Sequence, residues 1–348
     1  MAVETKPLLP TPSAAATSIT STSKRRSCLF ALFFVLCFVG GLVFTNSSFD
    51  LAITRKGDRQ PTTGGFEFQS SFSHLTVEVE GSDVGDCRVI VDLGTSALSH
   101  VVFSIESDRD DAQDETTVTA ELKNQDTLSV KVWFPDIKKA KRLHSDVRIT
   151  IPHQLLSFFM NGNAASLVWE AGNIQDKLDV TLNVGSARFY SPLNTSSITA
   201  ETNVGSFTAT NTIHSNELTV DANTGSVSLT EAIVSGPVQI KSNTGSIIGA
   251  IRAYQSLSAS VKTGTVHLSL YPGVEGAQAD LKSKTGSVNA DVYGFVGNYK
   301  AKTNTGSVKV SGNIHKTGAN TGWVGSKDGL GLLEAATKSG SVDLTFFK

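Results

Sequence analysis

The sequence predicts an all-β chain, a parallel β-solenoid (β-helix) of about 20 residues per coil with an N-terminal β cap, together with one transmembrane helix. Three observations predict it. A short phrase built on glycine recurs at Gly185, Gly205, Gly225, Gly245, Gly264, Gly286, Gly306 and Gly340, in steps of 20, 20, 20, 19, 22, 20 and 34 residues. Apolar residues on both sides of each glycine alternate with period two, the pattern of a strand. From Cys28 to Phe44 the chain runs seventeen residues without a charge.

Composition agrees and excludes several classes. With 39% hydrophobic and 18% charged residues the chain is not disordered as a whole, and thirty Gly against nine Pro suits many strands and turns. Thirty basic and thirty-two acidic residues give a net charge of −2, which argues against a nucleic-acid partner held by the overall field. Three Cys cannot build a disulfide framework, and Cys28 and Cys37 both fall in the apolar run, leaving Cys87 alone.

Residues 1–27 read as a disordered cytosolic tail, rich in Ser, Thr, Ala and Pro. Glu4, Leu8 and Leu9 fall as E-x-x-x-L-L, which resembles the acidic dileucine signal of clathrin adaptors; the competing reading is a chance match. Residues 28–45 read as a signal anchor, about 25 Å long at 1.5 Å per residue, at the short end of the spanning range. Lys24, Arg25 and Arg26 precede it, so the positive-inside rule puts the N-terminus in the cytosol and the remainder in the lumen or outside the cell. A cleaved signal peptide is the alternative, against a leader of twenty-seven residues and no A-x-A-like site after Phe44. Cys28 beside the basic cluster is a palmitoylation candidate or an ordinary membrane thiol.

After a linker at 46–65, residues 66–175 alternate in stretches such as Leu75–Glu80, Arg88–Leu93, Leu128–Phe134 and Val147–Ile151, expected to form a β-rich cap and the first coils. Residues 176–348 carry the repeat. Seven and five places before each glycine stand apolar residues such as Leu218 and Val220, and two after it residues such as Val227. Each coil is thus strand, tight turn at N-T-G, strand, the glycines supplying a positive φ in the left-handed α region. Stacked coils would align Asn183, Asn203, Asn223 and Asn243 in one ladder and Ser186, Ser206, Ser226 and Ser246 in another, read as turn stacking or as a binding strip for a linear ligand. Between residues 311 and 332 the period breaks in a Gly-rich insertion with Trp323, expected to fold over the final coil.

The stretch Ile149-Thr-Ile-Pro-His153, followed by repeats of V-x-x-x-T-G-S-V, resembles the adhesin-like family of β-solenoid domains, over about residues 140–348. The resemblance implies a parallel β-solenoid ectodomain and no catalytic residues.

An enzyme is the minor alternative, since parallel β-helices also cleave pectins and a glycosidic bond needs paired carboxylates. The chain has neither the G-H-G nor the R-I-K phrase of those hydrolases, and Asp110-Asp111 sits in an acidic loop phrase. Seven His lack H-x-x-x-H spacing, so neither metal nor cofactor is expected. Of two sequons, Asn46 lies against the anchor and Asn194 in a return loop, the latter the expected glycosylation site. The sequence therefore describes a type II single-pass membrane protein whose ectodomain is a non-enzymatic structural or recognition surface. Its expected partners are the lipid bilayer, a clathrin adaptor at the tail, and an unidentified glycan or protein ligand. The competing expectation is a vacuolar or lysosomal lumenal protein without an adhesion role, in place of a plasma-membrane one.

Overall fold

A computed structural model describes residues 61–69, 71–81, 85–108, 110–136 and 143–348. The described chain is nearly all strand, and its 27 strands join in one sheet that folds into two faces. On the first face, strands such as Ser197–Val204, Glu217–Thr224 and Pro237–Thr244 pair in parallel, with Ala200, Val220 and Ile240 in register. On the second, Phe207–Ser215, Val227–Val234 and Ile247–Arg252 do the same, with Phe207, Val227 and Ile247 in register. One strand from each face, joined at a glycine, makes a rung, and every rung turns the same alternate residues inward. Leu218, Val220, Val227 and Leu229 are buried, as are their equivalents above and below, so the apolar columns merge into one core along the stack.

The strand Leu155–Trp169 links the two faces. It pairs with Ile174–Val184 on the first face and, through Leu167–Trp169, with Ala187–Phe189 on the second. The reason lies in its sequence: at the corner it reads Asn163-Ala-Ala-Ser, with Ala165 where later rungs have glycine, and the strand passes through unbroken.

Two expectations are corrected. The fold is all-β, but not a regular parallel solenoid with a transmembrane helix. The sheet is mixed: Ser99–Ser107 runs antiparallel to both Thr62–Phe68 and Leu143–Ile151, Thr117–Lys123 antiparallel to Thr127–Phe134, and Thr321–Val324 antiparallel to Gly297–Thr305. Nor do rungs stack in chain order. Gly331–Ser339 enters between Gln278–Thr285 and Gly297–Thr305, and its partner Val342–Phe347 between Val288–Tyr293 and Val308–Gly312. At the other end the early rung, His74–Gly81 with Gly85–Leu93, lies between the later rung of Thr127–Phe134 with Leu143–Ile151 and the strand Leu155–Trp169. Second, among the described residues no helix is long and apolar enough to cross a membrane. The helix Asp110–Glu115 has six residues against the ~20 that a bilayer requires. The expected anchor at 28–45 lies outside the described residues, so the single-pass membrane localisation with a cytosolic N-terminus finds no support in the structure.

Candidate functional site

The turns between faces create the most distinctive surface. The repeat glycines adopt φ between +129° at Gly286 and +152° at Gly205. These values lie well away from the left-handed α region near +57°, at positive φ that residues with a side chain rarely adopt. Space imposes the same choice, because a Cβ on Gly225 would lie 1.7 Å from the carbonyl oxygen of Gly205, and one on Gly340 2.1 Å from that of Gly286. From Gly185 onward the rungs stack this closely because each corner carries no side chain toward the rung before it.

Around each glycine, side chains bond from rung to rung. Asn183 Nδ2 donates to Asn163 Oδ1 at 2.8 Å, Asn203 to Asn183 at 2.9 Å, Asn223 to Asn203 at 2.7 Å, and Asn243 to Asn223. At the next position, the backbone N–H groups of Ser206, Ser226 and Ser246 each donate to the hydroxyl of the serine one rung earlier, at 3.1–3.2 Å. A third row lies three places before the glycine and points inward: Ser242 Oγ donates to Gly225 O, Ser283 to Gly264 O and Thr337 to Gly286 O, at 2.9–3.0 Å. These hydroxyls satisfy carbonyls that the corner would otherwise bury unpaired. The sequence held their signal in the alternation itself, since they occupy inward positions with a polar residue.

Beside the asparagine ladder runs a shallow groove of about 730 Å³ on the first face. Asn161, Asn163, Thr181, Asn183, Asn203 and Asn223 line its floor and wall, with Glu201 and Asp221 in neighbouring strands along it. Glu80 closes one end, and its carboxylate, 2.7 Å from Lys131, raises the pKa of that ammonium. Each of Asn183, Asn203 and Asn223 spends one amide N–H on the ladder and has a second beside the groove. Val184 and Val204 are exposed next in sequence to two of these amides.

The described residues hold little that resembles catalysis. Among them no three His, Cys, Asp or Glu side chains come together as a metal site. Burial, with Asp86 and Asp146 nearby, pushes the Cys87 thiol far above its ordinary value, so it remains a protonated core residue. Burial raises the Tyr254 phenol likewise.

Of the residues singled out in the sequence, Glu4, Leu8, Leu9 and Cys28 lie outside the described residues. Asn194 is exposed in the short strand Leu193–Asn194, its N–H donating to Asn173 Oδ1 at 3.0 Å. The groove-lining Asn161, Asn163, Glu201 and Asp221 were not singled out. Asn163 belongs to a further copy of the repeat, hidden because Ala165 replaces its glycine.

These features define a repeat domain of stacked strands whose corners bear self-bonded polar ladders beside an open groove. The chain belongs to the Toastrack DUF4097 family, whose model matches residues 110–329. It is also similar to several solved bacterial structures. A candidate adhesin from Parabacteroides merdae is 11% identical, with 83% of this chain and 97% of that one covered, at a TM-score of 0.42. A candidate adhesin from Bacteroides fragilis is 14% identical, covering 82% and 97%, at 0.34. A candidate lipid-binding protein from Parabacteroides distasonis is 11% identical, covering 84% and 98%, at 0.37. No curated protein matches the sequence significantly.

Proposed function

We propose that the domain is a non-enzymatic recognition surface that takes an extended glycan along the asparagine groove. The observation that carries this reading is the repetition of one hydrogen-bonding amide per rung along an open groove, at the ~4.8 Å spacing of parallel strands. A linear polymer of hydroxylated units meets such a row with the same contact many times, so weak individual bonds add along its length. The acidic Glu201 and Asp221 bias the groove against anionic chains and toward neutral ones.

A purely structural role is the second reading, favoured by the ladder's closure on itself: each amide already bonds its neighbour, which would suffice to hold the turns. Glycan-array binding by the full chain, compared with the double variant Asn203→Leu/Asn223→Leu, separates the two. Recognition predicts binding to neutral linear glycans that falls at least ~10-fold in the variant, the loss of about 1.4 kcal/mol. Absence of glycan binding, or binding unchanged by the substitutions, leaves the structural role.

A further inference from the structure

The asparagine column does not keep its chemistry along the whole stack. Beyond Asn243 the same corner position is occupied by Lys262, Lys284 and Lys338. These three lie on consecutive strands, because Val261 pairs with Ser283 and Ser283 with Thr337. Only the insertion of Gly331–Ser339 beside Gln278–Thr285 brings Lys338 next to Lys284, fifty-four positions earlier in the chain. A second column on the same outward face reads Lys241, Ser260, Lys282, Ala336 and Lys302 in register. All six lysines are exposed.

Lys282 pairs with Asp280, whereas Lys241, Lys262, Lys284, Lys302 and Lys338 make no ion pair among the described residues. Like charges on directly adjacent strands destabilise a sheet, and here they repeat at the ~4.8 Å strand spacing over three successive strands. The strip is flanked by hydroxyl residues, Thr263, Thr285 and Ser339, and the exposed apolar side chains Leu330 and Leu332 lie at or before the opposite end of these strands. A flat row of point charges bordered by hydroxyls matches a hydrated linear polyanion better than it matches a lipid surface, which would also call for apolar side chains on the same edge. Lysine, lacking the fixed fork of arginine, suits carboxylates or sulfates whose register along the row can vary.

We propose that this lysine strip binds a linear acidic polysaccharide, with about one carboxylate or sulfate facing each rung. The proposal deepens the reading of this face as a glycan surface. It assigns anionic chains to the Gly264, Gly286 and Gly340 rungs, and neutral ones to the groove beside Asn203 and Asn223.

The test is binding of polygalacturonate and dextran sulfate to the full chain, with unsubstituted dextran and anionic phosphatidylserine vesicles as comparisons. The triple variant Lys262→Gln/Lys284→Gln/Lys338→Gln is expected to lose at least ~10-fold in affinity for both polyanions, and binding by the native chain to weaken about tenfold between ~50 and ~200 mM salt. Lys262→Arg/Lys284→Arg/Lys338→Arg should retain binding. Lys123→Gln/Lys177→Gln/Lys348→Gln, which removes the same charge elsewhere, should bind as the native chain does. Equal loss in that second Gln triple would reduce the effect to net charge, and binding of the vesicles in place of the polymers would assign the strip to membranes; either result overturns the proposal. So does the absence of polyanion binding. Asn203→Leu/Asn223→Leu should leave polyanion binding intact, so a failure of the groove reading and a failure of this one appear in different variants and with different polymers.

Discussion

At Gly225 two constraints act at once: φ is +150°, and the carbonyl of Gly205 occupies the place of a Cβ. A turn in the left-handed α region would accept asparagine at small cost, whereas this corner accepts no side chain. Gly225→Val and Gly225→Asn should therefore both destabilise, by on the order of 3–5 kcal/mol, the sum of backbone strain and displaced packing. Val227, two residues on, is fully buried, so Val227→Asp leaves an unpaired charge in the core and should cost a similar amount. Ser228 is only half-buried between Thr208 and Ile248, and Ser228→Asp should change stability by no more than ~0.5 kcal/mol. Lys309 is exposed 3.6 Å from Asp343, and Lys309→Glu should stay within about the same limit. Urea unfolding of these variants checks the set. Tolerance of Gly225→Asn would mean that the corner is an ordinary left-handed turn with room for a side chain.

The last element of the chain is not the last in space. Gly331–Ser339 and Val342–Phe347 supply hydrogen bonds to rungs on both sides, so truncation after Leu330 opens two interfaces at once. Hydrogen exchange on that truncated chain should show protection lost throughout 278–293 and 297–312 and kept in 197–234, which lies several rungs away. Full protection at 278–293 would show that this strand pair is not what secures the neighbouring rung. The contrast marks what the sequence could reveal. The alternation around Val227 and the repeated glycines were legible because burial and corner geometry act on each residue singly. Which rung pairs with which was not, since successive rungs present nearly the same inward column and the same turn, and neighbours are chemically interchangeable. The 34-residue step before Gly340 marked the irregularity without its meaning; the return through 313–330, with Thr321–Val324 pairing to Gly297–Thr305, decides it. The groove was hidden for a related reason. Its lining adds Gly81 and Asn163 to Asn183 and Asn203 of the expected ladder, and Asn163 is recognisable as a member only once Ala165 is seen to stand where glycine stands elsewhere.

Across the whole molecule, the stack protects the edges that a parallel sheet would leave open. Thr117–Lys123 and Thr62–Phe68 cover one end in antiparallel pairing, and Thr321–Val324 with His315–Lys316 covers part of the other, while His74–Gly81 with Gly85–Leu93 and Gly331–Ser339 with Val342–Phe347 are held inside. Between those ends each rung touches only its neighbours, so stability should behave as a sum of local terms. Val91 and Leu268 belong to one inward column on the second face, joined through Trp169, Phe189, Ala209, Leu229 and Gly249, six strand steps or roughly 29 Å apart. Val220 and Ile240 are buried and directly in register on adjacent strands. Val91→Ala and Leu268→Ala should each cost about 1–4 kcal/mol, and the double variant should equal their sum within ~0.5 kcal/mol. Val220→Ala with Ile240→Ala should depart from additivity by about 0.5–2 kcal/mol, since both open the same cavity. Denaturant unfolding of the four single and two double variants measures both interaction energies. An interaction above ~1 kcal/mol between Val91 and Leu268 would mean that strain travels the length of the core, and that the stack folds as one rigid body instead of a chain of neighbour contacts.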